Sequence, residues 1–279
     1  ANKLIEEFML ICNETVAEHM AYLERPMLYR VHEAPDQEKV RELHVFLGGL
    51  GYGLRNSQNG IRPKALQAIL DKAKGKPEEG ILSRAILRSL QKARYADENL
   101  GHFGLAADYY THFTSPIRRY PDLEVHRIVK ELIHGQLTEK RQEDLRGKLP
   151  DIARQCSERE REAMGAERDV DDLMKAEYLA DHVGEIFDGV VSGVTSFGMF
   201  VALPNTCEGM VRISEIGDDY YSFDEKNYRI MGRHSHQTYT LGDGVRIQVQ
   251  NVDTTARKVD FSLSQDKVPR GRKPRRARR

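Results

Sequence analysis

An α+β chain, mainly helical to about residue 183 and closing in a small five-stranded β-barrel, is what this sequence predicts. Three observations carry that expectation. Apolar residues recur at helical spacing through most of the first two thirds. Strand signals are sparse there. After Gly184 the character changes to β-branched and aromatic residues interspersed with glycines, as a tightly curved sheet needs.

Taken in order, residues 3–20 place apolar side chains at 4, 5, 8, 9, 12, 16 and 20, one helical stripe. A second amphipathic helix is expected over 36–47, with Asp36 at its start, and Leu47-Gly48-Gly49-Leu50-Gly51-Tyr52-Gly53 breaks it. Helices follow at 63–74, opened by Pro63, and at 79–91. The stretch 94–115 has no sustained period and reads as irregular. Helical patterns resume at 121–134 and 138–147, and a long polar-faced helix runs over 150–182. Strands are expected within 186–202 and at 208–213, 245–252 and 258–263, the last two joined by a turn at Asp253-Thr254-Thr255-Ala256. So many short strands in so little chain suggest a barrel.

The 279 residues are enough for one large domain and one small one. At 39% hydrophobic and 31% charged, the composition is that of a globular protein. No apolar run reaches the roughly 20 residues that span a bilayer, and no signal peptide pattern is present. The chain opens inside a helical pattern, which reads as a cut end. Cys12, Cys156 and Cys207 are odd in number and far apart, which favours free thiols in a reducing cytoplasm over disulfides or zinc.

The net charge of zero conceals an asymmetry. Lys267 to Arg279 holds eight Lys or Arg and no acid, leaving 35 basic against 43 acidic residues in positions 1–266. A mildly acidic body cannot hold a polyanion by its overall field, so any polyanion contact there needs a local basic site. The tail reads as disordered in character and suited to phosphate without sequence preference.

Such a local site is expected in the segment 109–127. Ser115-Pro116 is a helix-start signal, with Ser as N-cap and Pro at the first helical position. That would put Arg118 and Arg119 in a first turn, beside free backbone N–H groups and the positive end of the helix dipole, where phosphate is attracted. Pro121 must interrupt or restart the helix. Aromatics at 109, 110, 113 and 120 could offer stacking faces. From the residues alone this stands level with an ordinary reading, arginines paired to nearby acids at a helix start.

The run His112-Phe113-Thr114-Ser115-Pro116-Ile117-Arg118-Arg119-Tyr120-Pro121-Asp122, with His126-Arg127, resembles the signature of the ribonuclease II/ribonuclease R family. Leu4 to Leu10 with Asn13, Tyr29-Arg30-Val31-His32-Glu33 and Gly101-His102-Phe103-Gly104-Leu105 fit in the family's order. The resemblance covers residues 1 to about 264 and is nearest the ribonuclease R branch of Gram-positive bacteria. It implies that residues 1–183 form the C-terminal half of an RNB catalytic domain, in a monomeric, processive, hydrolytic 3′→5′ exoribonuclease. Such an enzyme threads single-stranded RNA into a channel and releases nucleoside monophosphates. It uses Mg2+ held by aspartates, which have no counterpart here and are expected upstream of residue 1. By resemblance Arg118 contacts the scissile phosphate, and His112, Thr114, Ser115, Arg119 and Tyr120 belong to the RNA surface.

On the long helix, Ala163, Val170 and Met174 mark an inward stripe, and Glu167 falls within it. A carboxylate on an apolar face needs a partner. Arg168 or Lys175 could serve, but Ala166-Glu167-Arg168-Asp169-Val170 resembles the family's acidic position near the active site. Glu160 shares the stripe without that match. Glu6 and Glu7 match a segment that reaches the family's RNA channel; which of them faces it is left open.

Residues 184–264 resemble the RNA-binding OB fold of a ribosomal protein, on Ser196-Phe197-Gly198-Met199-Phe200-Val201 and Glu208-Gly209-Met210-Val211. There Phe197 and Phe200 are candidate stacking platforms, and Arg233 and His234 candidate cationic contacts. His234 and His236 lack the Cys or acid that a metal site would add, so no metal site is expected. Residues 265–279 form the basic tail. The rival to the enzyme is a non-catalytic RNA-binding protein or truncated fragment that keeps the RNA surface; a phosphorolytic exonuclease would not carry the Ser115-to-Tyr120 signature.

Overall fold

The computed structural model describes residues 2–54, 61–76, 79–217, 219–224 and 229–264. The basic tail therefore lies outside the described residues. One compact unit is built from Ala1–Lys74 and Ser83–Gly165, the other from Gly75–Leu82 and the chain from Ala166 onward.

In the first unit, α1 (Asn2–Tyr22), α2 (Gln37–Gly49) and α3 (Pro63–Ala73) match the expected helices within two residues. Pro63 stands in the first turn of α3, where a missing N–H costs nothing. α2 gives way at Leu50, whose N–H caps the carbonyls of Gly48 and Leu47. α4 (Glu79–Ser89) also forms as expected. α1 buries only Asn13, Ala17 and Met20. Ala17 and Met20 join a core with Met27, Leu28, Tyr29, Val31, Tyr95, Val125, Ile128, Leu145 and Leu149.

Two features of this unit depart from the sequence reading. The stretch read as irregular contributes β2 (Arg94–Ala96), antiparallel to β1 (Tyr29–Val31), and a turn of 3-10 helix at Phe103–Leu105. Three residues per strand are too few to establish a period. Second, the helices expected at 138–147 and 150–182 are one helix. α5 (Tyr120–Ile133) is followed by α6 (Glu139–Ala180), which carries Pro150 in its interior. Proline forfeits one hydrogen bond of a long ladder, and α6 continues on either side of it.

The second unit is a closed barrel in the order β10-β5-β4-β3-β9, made of β3 (Ile186–Thr195), β4 (Gly198–Ala202), β5 (Glu208–Arg212), β9 (Gly244–Asp253) and β10 (Lys258–Leu263). All pairs are antiparallel except β10 with β5, which closes the barrel. Met199, Val201, Val211, Ile247, Val249 and Phe261 fill it, and Leu179 from the end of α6 belongs to the same core. Gly209 is required by a close approach: a Cβ there would lie 2.6 Å from the Phe261 ring. The sequence reading missed a second sheet, β6 (Tyr221–Asp224), β7 (Arg229–Gly232) and β8 (Thr238–Thr240). Its Ile230 and Tyr239 join the barrel core. Alternation in Tyr221-Ser222-Phe223 and Arg229-Ile230-Met231 was the available signal.

Candidate nucleic-acid interface

The segment 109–127 is held by partners far away in sequence. Asn13 works in both directions: its amide N–H donates to the Tyr110 hydroxyl at 3.1 Å, and its carbonyl accepts from the Phe113 N–H at 3.0 Å. The Thr111 hydroxyl donates to the Leu28 carbonyl at 2.6 Å. Phe113 stacks on His126, ring centroids 3.9 Å apart and nearly parallel, while His126 Nε2 lies 2.8 Å from the Phe113 carbonyl.

The helix does not start at Ser115. Pro116–Arg118 is a turn, with the Ser115 carbonyl accepting from the N–H groups of Arg118 and Arg119, and α5 starts at Tyr120 with extended Arg119 as its N-cap. A continuous helix would drive the Pro121 ring into the carbonyl four residues back; with α5 opening at Tyr120, Pro121 sits in its first turn. Arg118 is thus on an exposed turn ahead of α5.

Asp122 fixes that turn. It is fully buried, and its Oδ1 accepts from the Ser115 N–H at 2.8 Å and from Arg119 Nη2 at 2.7 Å. The two arginines therefore differ. Arg119 is neutralised by a buried carboxylate. Arg118 is exposed and makes no side-chain hydrogen bond or ion pair among the described residues. Buried Arg119 Nε, Asp122 Oδ2 and Thr114 Oγ1 lack hydrogen-bond partners among the described residues. Thr114 and Arg119 line a cavity of about 380 Å³ with Glu6, Asn13 and Tyr110, which gathers Glu6 and not Glu7. Tyr120 is exposed, its hydroxyl 3.3 Å from Glu124.

Beneath the turn lies a chain of polar aromatics. Arg30 donates to Glu160 at 2.7 Å and stacks 4.7 Å over the Tyr95 ring. The Tyr95 hydroxyl lies 2.9 Å from His112 Nδ1. His112, Tyr110, His102 and His32 then follow edge to face at centroid separations of 5.9, 5.1 and 5.2 Å. Burial, reinforced by Arg119 and Arg30, pushes His112 down to about 3. Burial, with His32 and Arg30, pushes His102 down to about 4. Both imidazoles are neutral at physiological pH.

The inward stripe on α6 does not exist in this chain. Ala163, Glu167, Val170 and Met174 are all exposed. This 42-residue helix gives Leu145, Leu149 and Ala153 to one core and Leu179 to the other, and the four stripe residues belong to neither. Of the two carboxylates read on the stripe, Glu160 is the one that pairs, with Arg30. Sequence reasoning missed that pairing, along with the places of Asn13 and Tyr95.

On the barrel, Phe197 is 76% exposed, whereas Phe200 is half-buried with its ring against Gly193. Arg233 and His234 are exposed in the loop after β7. Asp219 pins that loop, accepting from the Ser235 hydroxyl at 2.6 Å and the Ser235 and His234 N–H groups at 2.7 and 3.0 Å. Those bonds, the hydroxyl's first, hold its carboxyl well below the usual range. Among the described residues no group of three His, Cys, Asp or Glu is gathered to hold a metal ion, and no helix is long and apolar enough to cross a membrane.

Comparison with known proteins agrees with this geometry. Residues 1–135 match the RNB domain and residues 180–264 the S1 RNA binding domain. Ribonuclease R 1 of Lactococcus lactis is 44% identical over 261 residues, covering 94% of this chain and 32% of that protein. Ribonuclease R of Thermotoga maritima is 43% identical over 269 residues, covering 95% and 38%. The chain thus spans about a third of the length of these relatives. The apo form of Mycoplasma genitalium ribonuclease R superposes with a TM-score of 0.86 at 29% identity, over 94% of this chain and 42% of that one. A structure of that enzyme with ribose methylated single-stranded RNA matches equally well. The residues that carry the signature, the fold they build and these relatives agree: the chain belongs to the RNB family, in its ribonuclease R group, and corresponds to the C-terminal part of its members.

Proposed function

We propose that this chain is the RNA-binding C-terminal part of a processive hydrolytic 3′→5′ exoribonuclease, monomeric and cytoplasmic, which releases nucleoside 5′-monophosphates from single-stranded RNA. The observation that carries the reading is Arg118: an exposed guanidinium without an ion-pair partner among the described residues, on a turn locked by buried Asp122. Such a cation stands ready for a phosphate oxygen, and its turn spends little ordering entropy on meeting it. Its role is to stabilise charge developing on the scissile phosphate. The family reaction uses Mg2+, but the residues present do not form a site for it, so its carboxylates are assigned elsewhere in the whole enzyme.

Around Arg118, His112, Thr114, Ser115 and Tyr120 form the RNA surface, while Arg119 orders it through Asp122. Glu167 acts near the active site when the remainder of the enzyme covers its helix. Phe197 stacks bases, Phe200 adds the edge of its ring, and Arg233 and His234 hold phosphates. The cationic tail adds salt-sensitive affinity.

Arg118→Ala in the intact enzyme should lower turnover far more than RNA affinity, because the interaction strengthens in the transition state. Small, equal effects on both would assign Arg118 to structure. The second reading, a non-catalytic RNA-binding protein, is favoured by the lack of a metal-ligand group among the described residues. The residue 1–279 chain alone should bind RNA without magnesium-dependent release of mononucleotides; chelator-sensitive release by the pure chain would overturn the assignment of the metal site elsewhere.

A further inference from the structure

Tyr95 matches none of the motifs of the RNA surface, yet it is the residue through which His112 is held. The bond between its hydroxyl and His112 Nδ1, at 2.9 Å, can run either way. A phenol carries a single proton, and a neutral imidazole one donor nitrogen and one acceptor nitrogen. If Nδ1–H donated, the phenol proton would need a second acceptor, and no other bond to that hydroxyl is found among the described residues. If the phenol donates, both groups are satisfied, and the imidazole proton must then reside on Nε2. The phenol keeps its proton, since burial raises Tyr95 well above the ordinary tyrosine range. The His112 ring is fixed on two sides, edge to face with Tyr95 at 5.6 Å and with Tyr110 at 5.9 Å. Tyr95 is itself fixed: Arg30 lies over its ring and is tied to Glu160, and its N–H donates to Ser157 Oγ at 2.9 Å. What remains is the Nε2–H of a half-buried ring, without a partner among the described residues and close enough to Arg118 and Arg119 to feel both charges.

We propose that Tyr95 locks His112 in the neutral Nε2–H tautomer, so that His112 serves as an uncharged hydrogen-bond donor to an acceptor oxygen of the RNA backbone beside Arg118. Tyr95 is then a positioning residue that acts through His112. The donor complements the cation: Arg118 supplies charge, and His112 supplies direction without adding a second charge that would hold the product. The RNA half of this inference rests on the function proposed above; the tautomer does not.

The test uses the 1–279 chain labelled with 15N-histidine and a single-stranded oligouridylate. The His112 signals, identified by their loss in His112→Gln, should place Nδ1 in the unprotonated range and Nε2 in the protonated range. Tyr95→Phe, which keeps the ring beneath Arg30, should turn this into a tautomer mixture and weaken RNA binding about 3- to 10-fold, the worth of roughly one hydrogen bond. A merely structural role for Tyr95 would not move the nitrogen signature. His112→Gln, whose amide N–H reaches the place of Nε2–H, should bind within about twofold of the unaltered chain, while His112→Ala should lose as much as Tyr95→Phe. A protonated Nδ1 in the unaltered chain, or a Tyr95→Phe spectrum unchanged from it, would overturn the tautomer lock. Equal losses in His112→Gln and His112→Ala would overturn the donor role. An unaltered chain that fails to bind the oligouridylate would overturn the functional reading and the RNA half together, and the nitrogen spectrum would still decide the tautomer.

Discussion

The segment around Arg118 and the loop face of the barrel are both candidate RNA contacts, but they are built in opposite ways. The first depends on bonds between residues far apart in sequence: Asn13 with Tyr110 and Phe113, Tyr95 with Ser157, Arg30 with Glu160. Several of its polar atoms are buried, and Arg119 Nε, Asp122 Oδ2 and Thr114 Oγ1 have no hydrogen-bond partner among the described residues. The second stands on a barrel whose antiparallel pairings are local hairpins or a single return strand, with Phe197 projecting from the tight turn between β3 and β4. A site that must place charge against a scissile bond needs a stiff, partly desolvated support. A site that only stacks bases can be grafted on a turn.

The largest expected effect comes from the buried carboxylate. Asp122→Ala strands Arg119 and the Ser115 N–H, and removing one partner of a buried ion pair typically costs about 3–5 kcal/mol. Because Arg119 keeps some exposure, with a fifth of its side chain open to solvent, the expectation lies near the lower figure. Urea denaturation should show it, and the amide spectrum of the barrel should be unchanged. A loss below about 1 kcal/mol would mean that the turn does not depend on the pair.

On the barrel the sensitive position is apolar. Gly209→Ala forces a methyl to within 2.6 Å of the Phe261 ring and should cost about 1–3 kcal/mol by overpacking. Chemical shifts should move around Phe261 and not around Tyr110. A neutral substitution would mean that β5 and β10 can separate freely.

Acid should separate the two regions further. His102 and His112 titrate at about 4 and about 3 in the folded chain, against 6.5 when exposed. Below pH 6.5 the unfolded chain therefore binds protons that the folded chain refuses. The stability due to these neutral histidines is complete above that pH and is lost as pH falls toward 4 and then 3. Melting of the first unit should drop by several degrees over this window. His102→Gln or His112→Gln should flatten the drop, and a slope that neither changes would show the histidines to be exposed.

The smallest effect on stability is expected at Phe197. At 76% exposure, Phe197→Ala should change the unfolding free energy by no more than about 0.5 kcal/mol. Affinity for single-stranded RNA should nevertheless fall by roughly 1–3 kcal/mol if a base stacks there. Titration of both chains with an oligouridylate checks this; equal affinities would leave the aromatic without an RNA role.

What was legible in the sequence follows this same division. The barrel's five strands could be read because a curved sheet writes its requirements locally, as β-branched runs and glycines at close approaches such as Gly209. The sheet β6–β8 was lost because its strands have three or four residues each. In the helical unit, periodicity located α1 to α5, the last within one residue of its expected bounds, whereas the capping signal Ser115-Pro116 did not open a helix, since Pro121 forbids its use. The stripe on α6 shows the limit most plainly. Spacing put Ala163, Glu167, Val170 and Met174 on one face, as the helix does, but only packing decides whether a face is covered.

The sequence by itself determined the family, the helical-then-barrel order and the identity of the chemical groups, because these depend on residue type and local spacing. Only the tertiary structure decided which of two adjacent arginines is free of an ion-pair partner among the described residues, which carboxylate pairs with Arg30, and which hydroxyl meets Nδ1 of His112. Each of those depends on a partner brought in from elsewhere in the chain and on burial. Charge and hydrogen-bond direction answer to neighbours in space, which a linear pattern does not contain.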